Sequence, residues 1–116
     1  MPLELSADDF ERLVGEELDR LPEDMLDGLE NLAFVIEDAP EDGEDLLGRY
    51  DGIDLLHRGT YGFGELPDRI LIYRLPHLAE TASLEELRDE VHTTLVHEIG
   101  HYYGLDDDRL HELGWA

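Results

Sequence analysis

His97, Glu98, His101, Gly104 and Asp107 stand at spacings that suit one task, holding a divalent metal ion and activating a water molecule beside it. Helix positions four apart lie one above the other, so His97 and His101 put two imidazoles on one ion. Glu98 follows His97 by about 100° of helical rotation, which sets its carboxylate beside the ion's open position and outside the ligand set, where it can take a proton from water. Catalytic zinc takes three protein ligands and keeps water in its fourth position, so the histidines need one more partner. Gly104 is free to adopt φ > 0, stop the helix and turn the chain back under the ion. Asp107 arrives three residues later. It is favoured as third ligand over His111, Asp106 and Asp108, in that order. His111 is a good zinc donor, but it sits a helical turn beyond the usual spacing. The whole pattern, H-E-x-x-H-x-x-G-x-x-D, points to metal-assisted hydrolysis of a peptide or amide bond. A solvated helix end that carries histidines by chance would have to account for Gly104 and Asp107 as well.

The elements that must position these groups are legible around them. Ser83 caps the motif helix, with Glu86 three residues on as a capping box. Leu84, Leu87, Val91, Leu95 and Ile99 form the face that packs on a sheet, while Glu90, Thr94, His97 and His101 lie opposite and face a cleft. His92 lies on neither face and reads as surface. After the glycine turn, Asp108 is expected to cap a last short helix, Arg109 to Leu113, ended by Gly114. At the other end of the chain, Ser6 caps a first helix over residues 7–21, and Pro22 opens a second through about Leu29. Leu32 to Glu37 reads as a strand, being aromatic and β-branched. Ile70 to Leu75 reads as another, closed off by Pro76, and it is the expected edge for pairing with an extended substrate. His77 follows it as an exposed histidine.

Between the strands lie two loops. Asp38 to Asp45 holds five carboxylates without the alternation of a calcium loop and reads as a solvated turn. Leu46 to Asp68 carries Gly48, Gly52, Gly59, Gly62 and Gly64, with apolar pieces such as Ile53 to Leu56 and room for one short strand. Tyr61-Gly62-Phe63-Gly64 suits either the rim of a binding cleft or a cap on the core.

Composition narrows the partners. The 116 residues fit one domain, residues 1–116, and the absence of cysteine confines metal ligands to His, Asp and Glu. The net charge is −23, from 31 acidic residues against 8 basic ones, and every basic residue is arginine. Such a surface repels phosphate backbones and anionic lipids, which argues against nucleic acid or membrane and favours a cationic peptide or protein. The lysine-free, acid-rich balance suits either a salt-rich cytoplasm or a high-GC genome. The N-terminus has no signal-peptide pattern and no segment approaches a membrane span, so a cytoplasmic location is expected.

With these residues in view, the chain resembles the small bacterial zinc metallopeptidases with a minimal zincin, or matrix-metallopeptidase-like, domain. The shared features are a leucine-rich first helix ending in Leu21-Pro22, the strand from Ala33 to Asp38 followed by Pro40, Leu66-Pro67-Asp68-Arg69-Ile70, and the zinc motif with Leu113-Gly114-Trp115. The resemblance implies an α+β fold, with a few-stranded sheet packed on a long active-site helix. It also implies zinc held by His97, His101 and an acidic residue near Asp107, with Glu98 as general base. An anionic third ligand makes zinc a weaker Lewis acid than three histidines would. A zinc-stabilised module that binds peptides without cleaving them is therefore the alternative reading. Tyr102 or Tyr103 is a candidate oxyanion donor, but aromatic residues there are more often core or cleft wall.

Overall fold

The chain builds two short helices, a small sheet and then the long motif helix, and the computed structural model describes residues 3–52 and 67–115. Helix α1 (Ala7–Asp19) starts where the Ser6 side chain accepts the Asp9 N–H at 3.2 Å, with Asp8 and Asp9 in the first turn, where the helix dipole favours negative charge. Its inner face buries Phe10, Leu13 and Val14. The helix ends before Leu21, the expected limit, yet Leu21 is still buried in the turn that follows. Helix α2 (Glu23–Asp27) follows Pro22 and stops at Gly28 instead of reaching Leu29. Tyr103 lies against that glycine: a Cβ there would come within 2.5 Å of the tyrosine hydroxyl.

Strands β1 (Leu32–Glu37), β2 (Gly48–Asp51) and β3 (Asp68–Tyr73) form a sheet in the order β1-β3-β2. β1 runs parallel to β3, with Phe34 opposite Ile70 and Ile36 opposite Ile72, while β2 runs antiparallel, with Arg49 opposite Leu71. β3 is thus the central strand, and its Ile70 to Tyr73 run is buried on both faces. β2 occupies the room left for one short strand. Ile53 to Leu56 and Tyr61 to Gly64 lie outside the described residues.

Two expectations about β3 are corrected. It ends at Tyr73, and Arg74 begins helix α3 (Arg74–Glu80), so Pro76 sits in a first helical turn and closes no strand. Proline fits there because the first N–H groups of a helix have no intrahelical acceptor. Because β3 is paired on both sides, it also offers no edge to a substrate; among the described residues the edges are β1 and β2.

Helix α4 (Leu84–Tyr103) is the motif helix. The Ser83 side chain accepts the Glu86 N–H at 3.1 Å, and the Glu86 carboxylate reaches back to the Ala82 N–H at 2.9 Å. Leu87, Val91, Leu95 and Ile99 are fully buried, as their spacing predicts, whereas Leu84, the first helical residue, is exposed. A second buried stripe, Thr94, Glu98 and Tyr102, extends the covered surface around the helix. Gly104 ends it at φ 76°, and the Leu105 and Gly104 N–H groups return to the Gly100 and His101 carbonyls at 2.9 and 3.0 Å. This is the left-handed glycine stop that the sequence predicts. Helix α5 (Asp107–Glu112) begins earlier than expected, because Asp106, not Asp108, is the cap, accepting the Arg109 N–H at 2.9 Å. Its Leu110 packs against Gly100, where a Cβ would stand 2.9 Å from a leucine methyl.

The core lies between α1, β3 and α4, with Phe10, Leu13, Val14, Ile70, Ile72 and the α4 stripe at its centre. The result is the expected α+β arrangement, a three-stranded mixed sheet packed with the long motif helix. No helix among the described residues is long and apolar enough to cross a membrane.

Candidate metal centre

The helical spacing of α4 brings His97, Glu98 and His101 together, with a ligand atom from each lying within 4.8 Å of the others. The two imidazoles are half-exposed, and their ring centres stand 4.4 Å apart. Glu98 is buried beneath them at 6% exposure. Its Oε1 approaches His101 Nδ1 at 3.2 Å without the alignment of a hydrogen bond, so that oxygen is buried and unbonded. An orphaned buried carboxylate oxygen is costly unless a proton or a cation arrives to meet it. Two imidazoles one helical turn apart with a carboxylate beside them fit a zinc site in which Glu98 stays outside the ligand set, so the residues present suit the ion that the motif implies.

Asp107 stands outside that group. Its Oδ1 is 3.6 Å from His97 Nδ1, its side chain is 78% exposed, and it opens α5 instead of lying in a loop. His111, one turn further along α5, lines the same cleft of about 380 Å3 with His92, Val96, His97 and Leu110. His92 is therefore a cleft residue and not plain surface. Of the other rival ligands, Asp106 has its carboxylate committed to the helix cap, and nothing brings Asp108 to the histidines.

The tyrosines are engaged elsewhere. Tyr102 is fully buried, and its hydroxyl accepts from the Glu30 N–H and donates to the Glu30 carbonyl, both at 3.0 Å. The Tyr103 hydroxyl donates to the Met25 carbonyl. They pin the end of α4 to the α2–β1 connection and to α2 itself, the structural role expected of aromatic residues there, and neither serves as an oxyanion donor.

Two neighbours of the site, Gly48 and the buried His77, were not visible in the sequence, and a third, Thr94, was expected on the cleft face with the histidines. Gly48 of β2 lies directly over α4: a Cβ on it would stand 2.7 Å from the Thr94 methyl, 2.9 Å from the Leu71 carbonyl and 3.4 Å from Glu98 Cγ. The chain's several glycines gave no reason to single it out. Thr94, one turn before Glu98 on α4, is buried and bonded to His77 instead of facing the cleft. His77, expected to be exposed, is fully buried in α3, with Nδ1 2.7 Å from the Tyr73 carbonyl and Nε2 2.9 Å from Thr94 Oγ1. Reading residues 74–80 as a helix would have put His77 and Leu78 on its inner face.

Burial pushes the His77 imidazole below its ordinary value of 6.5. A group held neutral in the fold binds fewer protons than the unfolded chain does between its lowered value and about 6.5, so its contribution to stability is complete above that pH and falls away below it. The urea midpoint is expected to drop between pH 7.5 and 5.5, and His77→Asn should flatten that part of the profile. A midpoint independent of pH over this window would contradict the assignment.

The model of the zincin-like metallopeptidase family matches residues 29–115. Among solved structures, a conserved hypothetical protein from Thermo thermophilus is similar at 26% identity and a TM-score of 0.60, covering 94% of this chain and 97% of its own. No curated protein matches the chain.

Proposed function

The chain belongs to the zincin-like metallopeptidase family, and from that premise we propose that it is a zinc-dependent peptidase in which His97, His101 and Asp107 hold the ion and Glu98 is the general base. The observation that carries this reading is the grouping of His97, Glu98 and His101 within 4.8 Å around a buried, unbonded carboxylate oxygen. Zinc, when bound, supplies the Lewis acidity that polarises a carbonyl and acidifies water. The proton handling belongs to Glu98. Its carboxylate takes a proton from the attacking water as the oxygen bonds to the carbonyl carbon, then delivers it to the amide nitrogen as the C–N bond breaks. Asp107 is the favoured third ligand because its carboxylate stands 3.6 Å from His97 Nδ1 at the motif's usual spacing.

The substrate is an extended peptide that pairs with the β2 edge over Glu98, since backbone hydrogen bonds hold a strand without reading its sequence. A cationic peptide fits best. Each of the seven arginines among the described residues is already within ion-pair distance of a carboxylate, which leaves the acidic surplus facing outward. Zinc-loaded protein incubated with a mixed peptide library should release products, lose that activity to a chelator and regain it with added zinc. Products that form equally in chelator would sink the proposal.

One observation favours the second reading, a peptide-binding module. The hydroxyls of the two tyrosines that follow His101, Tyr102 and Tyr103, are bonded to backbone groups, so neither is available as an oxyanion donor. Peptides retained on the zinc-loaded protein without products would select that reading.

A further inference from the structure

The buried contact between α3 and α4 leads from His77 to the general base. The Tyr73 carbonyl can only accept, so His77 Nδ1 carries the ring proton and Nε2, 2.9 Å from Thr94 Oγ1, is an acceptor. The single Thr94 hydroxyl proton is shared between that nitrogen and the Glu90 carbonyl, to which Thr94 Oγ1 donates at 3.0 Å. A helical threonine divides between two side-chain rotamers, and a partner outside the helix selects one. His77 selects the rotamer that turns the hydroxyl towards α3 and the methyl towards β2. On that side the methyl meets Gly48, whose position also faces Glu98 Cγ. The Gly48 position thus faces both the Thr94 methyl and Glu98 Cγ, and the Thr94 methyl stands between the β2 edge and the helix that carries the base.

We propose that His77 is a positioning residue that, by holding the Thr94 rotamer, sets how closely the β2 edge approaches Glu98. The inference rests on the peptidase reading, in which β2 carries the substrate and Glu98 moves the proton. Misplacing reacting groups by a fraction of an ångström slows chemistry by about 10-fold or more without changing how the rest of a substrate is held.

His77→Asn and His77→Gln separate the roles of the two ring nitrogens. Asparagine reproduces the Nδ1 donor to Tyr73 and loses the link to Thr94, whereas glutamine reaches the Nε2 position. His77→Asn should lower kcat about 10-fold with KM within about twofold, and weaken the nuclear Overhauser contact between Gly48 Hα and the Thr94 methyl. His77→Gln should restore both. Thr94→Ser, which keeps the hydroxyl and removes the methyl, serves if the histidine variants do not fold; it should alter the Gly48 Hα to Glu98 Hγ contact and lower kcat alike. Wild-type kcat and an unchanged contact in a destabilised His77→Asn, or in Thr94→Ser, would overturn the proposal and leave His77 a purely structural residue. If wild-type protein binds zinc but cleaves nothing, the peptidase reading fails, and the two nuclear Overhauser contacts alone decide this one.

Discussion

Glu98→Gln is expected to lower peptide turnover by about a thousandfold, within the range of removing a positioned general base, while zinc stays bound. Glutamine keeps the length and shape of the side chain, so the contact of Glu98 Cγ with the Gly48 position is preserved. What disappears is the capacity to accept a proton. The same replacement removes a charge whose Oε1 is buried and unbonded, so the melting temperature should stay level or rise, which isolates the chemical loss from any structural one. Turnover within about twofold of wild type would remove Glu98 from the proton path and leave the general base unassigned.

Phe10→Ala carries the largest expected loss of stability. Phe10 is fully buried in α1, its ring lies 5.7 Å from that of His77, and it belongs to the same core as Ile70, Ile72 and the α4 stripe. Truncating a buried phenylalanine costs about 3–5 kcal/mol, a large share of the roughly 5–15 kcal/mol that holds an ordinary domain together. α1 and α2 precede the residues matched to the family, which begin at 29. The prediction therefore also tests whether the first helix is integral to the fold or an addition to it. Urea unfolding at pH 7.5 measures it, and a loss below about 1 kcal/mol would place Phe10 outside the working core.

The motif helix was legible because its signals are local. Ser83 and Gly104 fix its ends, and the spacing of Leu87, Val91, Leu95 and Ile99 fixes its inner face. Strand order was not, because it depends on pairing between segments far apart in sequence: β3 lies between β1 and β2, so the strand read as an edge is the central one. Pro76 was ambiguous for a different reason. Proline ends strands and also fits the first turn of a helix, and only the burial of His77 and Leu78 shows which applies here. In the run Asp106-Asp107-Asp108 each aspartate is an equally good cap by residue type. The start of α5 at Asp106 goes with Leu110 packing against Gly100, a contact no local pattern reveals. The site divides the same way. His97, Glu98 and His101, and Thr94 one turn before Glu98, came from spacing along one helix, while Gly48 and His77 become neighbours of the site only when β2, α3 and α4 pack together.

Metal content per chain, read by native mass spectrometry on wild-type protein and on His101→Ala, tests the central claim most directly. One zinc per wild-type chain, lost in the variant, is the predicted result. A wild-type chain that holds no metal after zinc is supplied at neutral pH would contradict the account.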